Sequence, residues 1–196
     1  MNRPEIILQA RLTSKRFPNK VLCNLLGKTV LEWCIEACEK SKIPFVIAIP
    51  STTTNQGLES WIKNYGLLHK KDIRVFTGNE EDLTIRYYDC ANHYNIDPII
   101  RLCGDSPFVN PQDMIDVLEL YKKRGFYQRI NHVECFSFLE IEYAKNNNPF
   151  IASREHVCKY MAQTVDYPED IKRLTEDWNE EGSPTMTAKK KFWKQL

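Results

Sequence analysis

Short apolar runs alternate with apolar residues at helical spacing through the front two-thirds of the chain. Glu5-Ile-Ile-Leu-Gln9 is a compact apolar stretch, the signature of a buried strand, and a polar loop from Arg11 to Lys20 closes it. Thr29-Val-Leu-Glu32 is a capping-box pattern, and Leu31, Ile35 and Cys38 place one apolar face on the helix it opens. Phe45–Ile49 reads as a second strand, Leu58, Ile62 and Tyr65 as a helix stopped by Gly66, and Ile73–Phe76 as a third strand. Leu83, Tyr87, Ala91 and Tyr94 mark another helix. Pro98–Leu102 is a fourth strand, running into Gly104-Asp105-Ser106-Pro107. Asn110 and Pro111 then suit the cap and first turn of a helix that Gly125 ends. Strands alternating with helices require crossover connections, so the expected architecture is a single α/β domain with a mainly parallel sheet flanked by helices.

The last third is less regular. Glu134–Phe138 reads as a strand, Ser153 as the cap of a helix through Met161, and Val165-Asp166-Tyr167-Pro168 as the entry to a final helix through Trp178. Residues 1–181 form the expected domain. From 182 to 196 the chain is a polar, basic tail, read as a solvated end rather than a nucleic-acid arm.

Composition narrows the function classes. The 196 residues are 42% hydrophobic and 27% charged, with a formal net charge of +1, so no global field points to nucleic acid or a membrane surface. No apolar run has the length of a membrane span, and the N-terminus lacks the pattern of a signal peptide. The seven cysteines include no C-x-x-C pair and read as reduced core residues, which makes cytoplasm the expected compartment.

The loop after the first strand carries the first candidate chemistry. Arg11, Lys15, Arg16 and Lys20 bring four positive side chains and Ser14 a hydroxyl, with no acid between residues 11 and 20. Such a loop leaves the carboxyl end of a parallel strand, where α/β sheets bind ligands, and polyphosphate is the anion it suits. It lacks the Walker order, and a solvated basic face is the competing reading. Lys20 reads as an exposed loop lysine with little core contact. Arg101, just ahead of the Gly-Asp turn, lies near the expected ligand. Taken alone, Gly104-Asp105-Ser106-Pro107 is an ordinary turn, and Val165-Asp166-Tyr167-Pro168 an ordinary helix start.

The order of these residues resembles a family. Ile7-Leu-Gln-Ala-Arg-Leu-Thr-Ser-Lys-Arg-Phe-Pro-Asn-Lys-Val-Leu22 is similar to the opening of the sugar-acid cytidylyltransferases, the CMP-Kdo and CMP-acylneuraminate synthetases, and most of all to the spore-coat polysaccharide group. The resemblance implies a Rossmann-like nucleotide-diphospho-sugar transferase fold of GT-A type, with Arg11, Ser14, Arg16 and Lys20 on the phosphates of CTP. Leu102–Pro111 and Thr164–Asp170 resemble the segments whose aspartates hold Mg²⁺ in the family, which implies Asp105 and Asp166 as metal ligands. Phe76–Leu83 and Arg86-Tyr-Tyr88 resemble the part that lies beside base and ribose, which implies nucleotide contacts for Gly78 and Arg86. Ser153-Arg-Glu-His-Val157 resembles a further family helix start, with Arg154 toward the sugar carboxylate and His156 structural.

The implied activity is transfer of CMP from CTP to a Kdo- or acylneuraminate-like sugar acid, releasing pyrophosphate, for polysaccharide or glycan biosynthesis. Arg11, Arg16, Lys20 and Asp105 form the catalytic set, Mg²⁺ is the cofactor, and a homodimer fits the family. Relatives carry longer stretches between Tyr127 and Phe136 and between Met161 and Val165, so the acceptor half is abbreviated here. A non-catalytic nucleotide-binding module of the same fold is the alternative.

Overall fold

The computed structural model describes residues 3–147 and 164–181. Its centre is a six-stranded sheet. Strands β1 (Arg3–Gln9), β4 (Phe45–Pro50), β5 (Val75–Gly78) and β6 (Ile96–Cys103) are parallel, while β8 (Val133–Phe136) and β7 (Gln128–Ile130) add an antiparallel edge. The order is β5-β4-β1-β6-β8-β7. A two-stranded hairpin, β2 (Asn24–Leu25) with β3 (Lys28–Thr29), lies apart from the main sheet, with Gly27 supplying the positive φ its turn needs.

Period-two alternation divides the core between the two faces of the sheet. Ile6, Leu8, Ile47, Ile49, Ile100 and Leu102 pack with α1 (Val30–Ser41), α2 (Gln56–His69) and α4 (Pro111–Arg124). Ile7, Val46, Ala48, Ile99 and Phe136 face α3 (Leu83–Tyr94) and α5 (Phe138–Asn147). Both faces of the parallel strands are therefore covered, as such sheets require. A third cluster, Leu25, Val30, Phe108, Val165 and Leu174, joins the hairpin to α6 (Pro168–Glu181). Among the described residues no helix is long and apolar enough to cross a membrane.

Most local signals behave as expected. Thr29 and Glu32 form the capping box, Asn110 caps α4, and Gly125 closes it with φ 77°. Several details differ. Gly66 does not stop α2; the helix runs to His69 and ends at Lys70 in the left-handed region. Gly66 is instead a place of close approach, since a Cβ there would sit 2.8 Å from the Lys71 carbonyl oxygen. The third strand is Val75–Gly78 rather than Ile73–Phe76, because pairing with β4 begins at Ile47↔Val75. The strand expected over Glu134–Phe138 is Val133–Phe136, and Phe138 already belongs to α5, where Ser137 and Glu140 form a reciprocal cap. The last helix extends past Trp178 to Glu181. The helix expected from Ser153 to Met161, with Arg154 and His156, and the tail 182–196 lie outside the described residues.

Candidate active site

Strand order dictates where a ligand fits. From β1 the chain moves outward to β4 and β5, then returns to the other side of β1 as β6. The reversal leaves a crevice at the carboxyl ends of β1 and β6, the position where open α/β sheets bind ligands. The basic loop leaves β1 there, and the Gly104-Asp105 turn leaves β6 beside it. The two ends are drawn together by the Gly104 N–H, which donates to the Gln9 carbonyl at 2.7 Å. A Cβ at Gly104 would lie 3.0 Å from that oxygen and 3.1 Å from the Ala10 Cβ, so a glycine lets the strand ends approach this closely. The start of the loop is pinned by Asn55, a buried residue whose Oδ1 accepts the Leu12 N–H at 2.9 Å.

Two distant acidic segments meet on this loop. The Val165 N–H donates to the Asp105 carbonyl at 2.8 Å, setting Asp166 next to Asp105 despite the short connection ahead of Val165. Lys20 Nζ lies between them, 2.6 Å from Asp105 Oδ2 and 3.0 Å from Asp166 Oδ1. Arg16 reaches the same Asp166 oxygen at 2.7 Å, and its guanidinium lies 5.1 Å from the Tyr167 ring centroid. The expectation of an exposed Lys20 is corrected here: the residue is only 7% exposed, because the two carboxylates draw its ammonium inward. Burial lowers its pKa, but Asp105 and Asp166 more than offset that and leave it raised. The Arg16 pKa is also raised, by Tyr167 first and then by the Asp166 charge.

Asp170 explains why Asp166 is held in place. Its Oδ2 accepts the N–H groups of Asp166 at 2.8 Å and Tyr167 at 2.9 Å, while Oδ1 accepts from Arg173 at 2.9 Å. Burial pushes this carboxyl's pKa up, yet these donors together hold it below the ordinary value. Sequence reasoning passed over Asp170, although a carboxylate two residues after Pro168 is where a helix start places a reciprocal cap.

The remaining expected residues divide. Arg11 is exposed on the loop, and Ser14 Oγ accepts the Phe17 N–H at 3.4 Å, closing a local turn. Arg86 is buried. Its Nε and one terminal nitrogen donate to the carbonyls of Asn79 and Glu80 at 2.7 and 2.8 Å, fixing the loop after Gly78. The other terminal nitrogen has no hydrogen-bond partner. Burial lowers the Arg86 pKa, and the nearby positive charge of Arg11 lowers it further. Arg101 lies on β6 and pairs with Glu134 of β8, which also accepts from the Tyr127 hydroxyl at 3.0 Å. Burial and the adjacent Glu134 push the Tyr127 pKa up to about 12.

Asp105 and Asp166 supply two converging carboxylates. Among the described residues no group of three or more His, Cys, Asp or Glu gathers, so a full protein cage of the kind zinc prefers is not built from them. Mg²⁺ asks for less, one or two carboxylates with ligand oxygens and water completing its shell, and this pair fits that requirement. The Lys20 ammonium between the two oxygens shows that the position accepts a cation.

The chain resembles known proteins along most of its length. A family model described as cytidylyltransferase matches residues 5–174. The chain is 30% identical over 182 residues to an uncharacterized protein of Methanocaldococcus jannaschii, a match covering 85% of this chain and 73% of the relative. It is 33% identical over 124 residues to the spore coat polysaccharide biosynthesis protein SpsF of Bacillus subtilis, covering 60% of this chain and 49% of that one. A 3-deoxy-manno-octulosonate cytidylyltransferase of Bartonella bacilliformis is 28% identical over 150 residues, covering 76% and 58%. The chain thus spans about half the length of the last two relatives. Among solved structures, a cytidylyltransferase from Leptospira borgpetersenii superposes with a TM-score of 0.75 at 24% identity, covering 95% of this chain and 90% of that one. A CMP-2-keto-3-deoxy-manno-octonic acid synthetase complexed with CTP gives 0.68 at 12% identity, covering 92% and 100%. These two likenesses establish the Rossmann-like nucleotidyltransferase fold. With the family match extending from β1 into α6, the chain belongs to the cytidylyltransferase family.

Proposed function

We propose that the chain is a nucleotidyltransferase that moves CMP from CTP to a Kdo- or acylneuraminate-like sugar acid. The observation that carries this reading is the meeting of Lys20 and Arg16 with Asp105 and Asp166 at the sheet's switch point. Cations for a triphosphate and carboxylates for a divalent ion lie within one hydrogen-bonded cluster.

In this reading Arg11, Arg16 and Lys20 bind and neutralise the phosphates, with Ser14 shaping the loop that carries them. Gly78 and Arg86 organise the loop beside the nucleoside, and Arg101 keeps the floor of the crevice polar through Glu134. The anomeric hydroxyl of the sugar acid attacks the α-phosphorus. The bond to pyrophosphate breaks, and the hydroxyl proton passes to solvent. Little covalent work falls to the protein, whose task is in-line positioning and charge neutralisation. Mg²⁺ held by Asp105 and Asp166 would supply Lewis-acid stabilisation of charge on the phosphates.

Titration calorimetry with CTP, UTP, ATP and GTP tests the nucleotide half of the reading. CTP should bind most tightly, with affinity falling at high salt as its charged contacts are screened. Equal weak binding of all four would contradict it. A second reading is a nucleotide-binding module without turnover, which the short stretch between Met161 and Val165 in the acceptor half would favour. Such a module would bind CTP yet release no pyrophosphate.

A further inference from the structure

We infer that Lys20 is the built-in counter-ion of the Asp105–Asp166 pair, occupying the cation position until a triphosphate draws it away. The inference rests on the proposed reading of those aspartates as ligands of a divalent ion, and it adds an order of events: the nucleotide opens the site that the metal then fills.

The geometry requires a choice between the two cations. A lysine ammonium at 2.6 Å from Asp105 Oδ2 and 3.0 Å from Asp166 Oδ1 already fills the position between both carboxylates. A magnesium ion would bind carboxylate oxygens at about 2.0–2.1 Å. It would then press against the ammonium, and two like charges that close repel strongly in a cluster where the Lys20 and Asp166 side chains are largely buried. Asp166 Oδ1 is further engaged by Arg16 at 2.7 Å. In the nucleotide-free protein, therefore, a metal ion must displace a buried, well-paired lysine before it gains its own ligands.

A triphosphate changes the balance. Lys20 stands at the start of a short 3-10 turn, Lys20–Leu22, directly after Asn19 in the left-handed conformation, so its backbone is fixed while its side chain is long. Rotation of that side chain alone can exchange carboxylate for phosphate partners. Arg16, on the exposed part of the loop, can make the same exchange. Release of both cations leaves two carboxylates facing each other, held together by Asp170 and by the Val165–Asp105 backbone bond. That arrangement invites a divalent ion. Nucleotide and metal then bind cooperatively, and the nucleotide-free protein takes up metal weakly.

The test measures Mn²⁺ binding to the full chain without nucleotide, by the electron paramagnetic resonance of free Mn²⁺. Lys20→Met should bind Mn²⁺ about tenfold or more tightly than wild type, since it removes one charge-assisted competitor for the oxygens. The gain should disappear in Lys20→Met combined with Asp166→Asn. Equal affinity in wild type and a folded Lys20→Met overturns the inference, as does a gain that survives Asp166→Asn. If Lys20→Met does not fold, the wild type decides: saturating Mn²⁺ should expose Lys20 to acetylation, read by peptide mass spectrometry, and unchanged protection with Mn²⁺ bound overturns it. Failure of CTP to bind the wild type would defeat the nucleotide reading separately, because the Mn²⁺ comparison contains no nucleotide.

Discussion

The Val165 N–H donates to the Asp105 carbonyl at 2.8 Å, and this backbone bond sets the two proposed metal ligands side by side. The Val165 side chain secures it, packing with Leu25, Val30, Phe108 and Leu174 between the hairpin and α6. The strap that carries Asp166 is thus fastened both by a hydrogen bond and by apolar burial.

Val165→Ala should destabilise the protein by about 2 kcal/mol, through lost burial of two carbon atoms and the cavity left behind. Urea unfolding measures this directly. An unchanged midpoint would show that the strap is not part of the cooperative fold.

Asp170 acts through Asp166. Asp170→Asn keeps the shape but loses the charge that holds two N–H groups and Arg173, so turnover should fall while CTP affinity stays near wild type. Its effect on stability also has a pH signature. The folded pKa is depressed, so its stabilisation is present above the ordinary carboxylate value of 3.8 and is lost as pH falls through the lower folded value. Urea midpoints of wild type and Asp170→Asn should differ at pH 6 and converge as the pH is lowered below 3.8. A gap that stays constant through this range would exclude the assignment.

Legibility in the sequence followed locality. The Thr29–Glu32 capping box, the Asn110–Gly125 bounds of α4 and the position of the basic loop rest on residues a few places apart, and local spacing reveals such features. The pattern Ser137-x-x-Glu140 that opens α5 is of the same kind as Thr29-x-x-Glu32 and equally local, but the apolar run through Phe138 also suits a strand, and the two signals compete. Gly66 misled for a different reason: its lack of a side chain serves a contact with Lys71 that no helix-stop rule includes. The burial of Lys20 depends on Asp105 and Asp166, both remote in sequence, so charge patterning within the loop pointed to solvent. Family resemblance, not residue spacing, brought the two aspartates together.

Arg86 offers a separate check on the nucleotide side. Its planar fork serves the Asn79 and Glu80 carbonyls at once, a geometry that lysine cannot reproduce. Arg86→Lys should raise the KM for CTP by about tenfold, equivalent to losing one charge-assisted hydrogen bond, with a smaller effect on kcat. Steady-state kinetics in which kcat alone falls would place Arg86 in the chemical step instead.

The central claim, that this cluster transfers CMP, is tested most directly by pyrophosphate release from CTP across a panel of sugar acids. The account predicts release by the wild type with at least one acid. It further predicts a loss of about 100-fold or more in Asp105→Asn and in Asp166→Asn, each still binding CTP in the absence of metal. A wild type that binds CTP but releases no pyrophosphate with any sugar acid, or two asparagine variants that turn over like wild type, would contradict it.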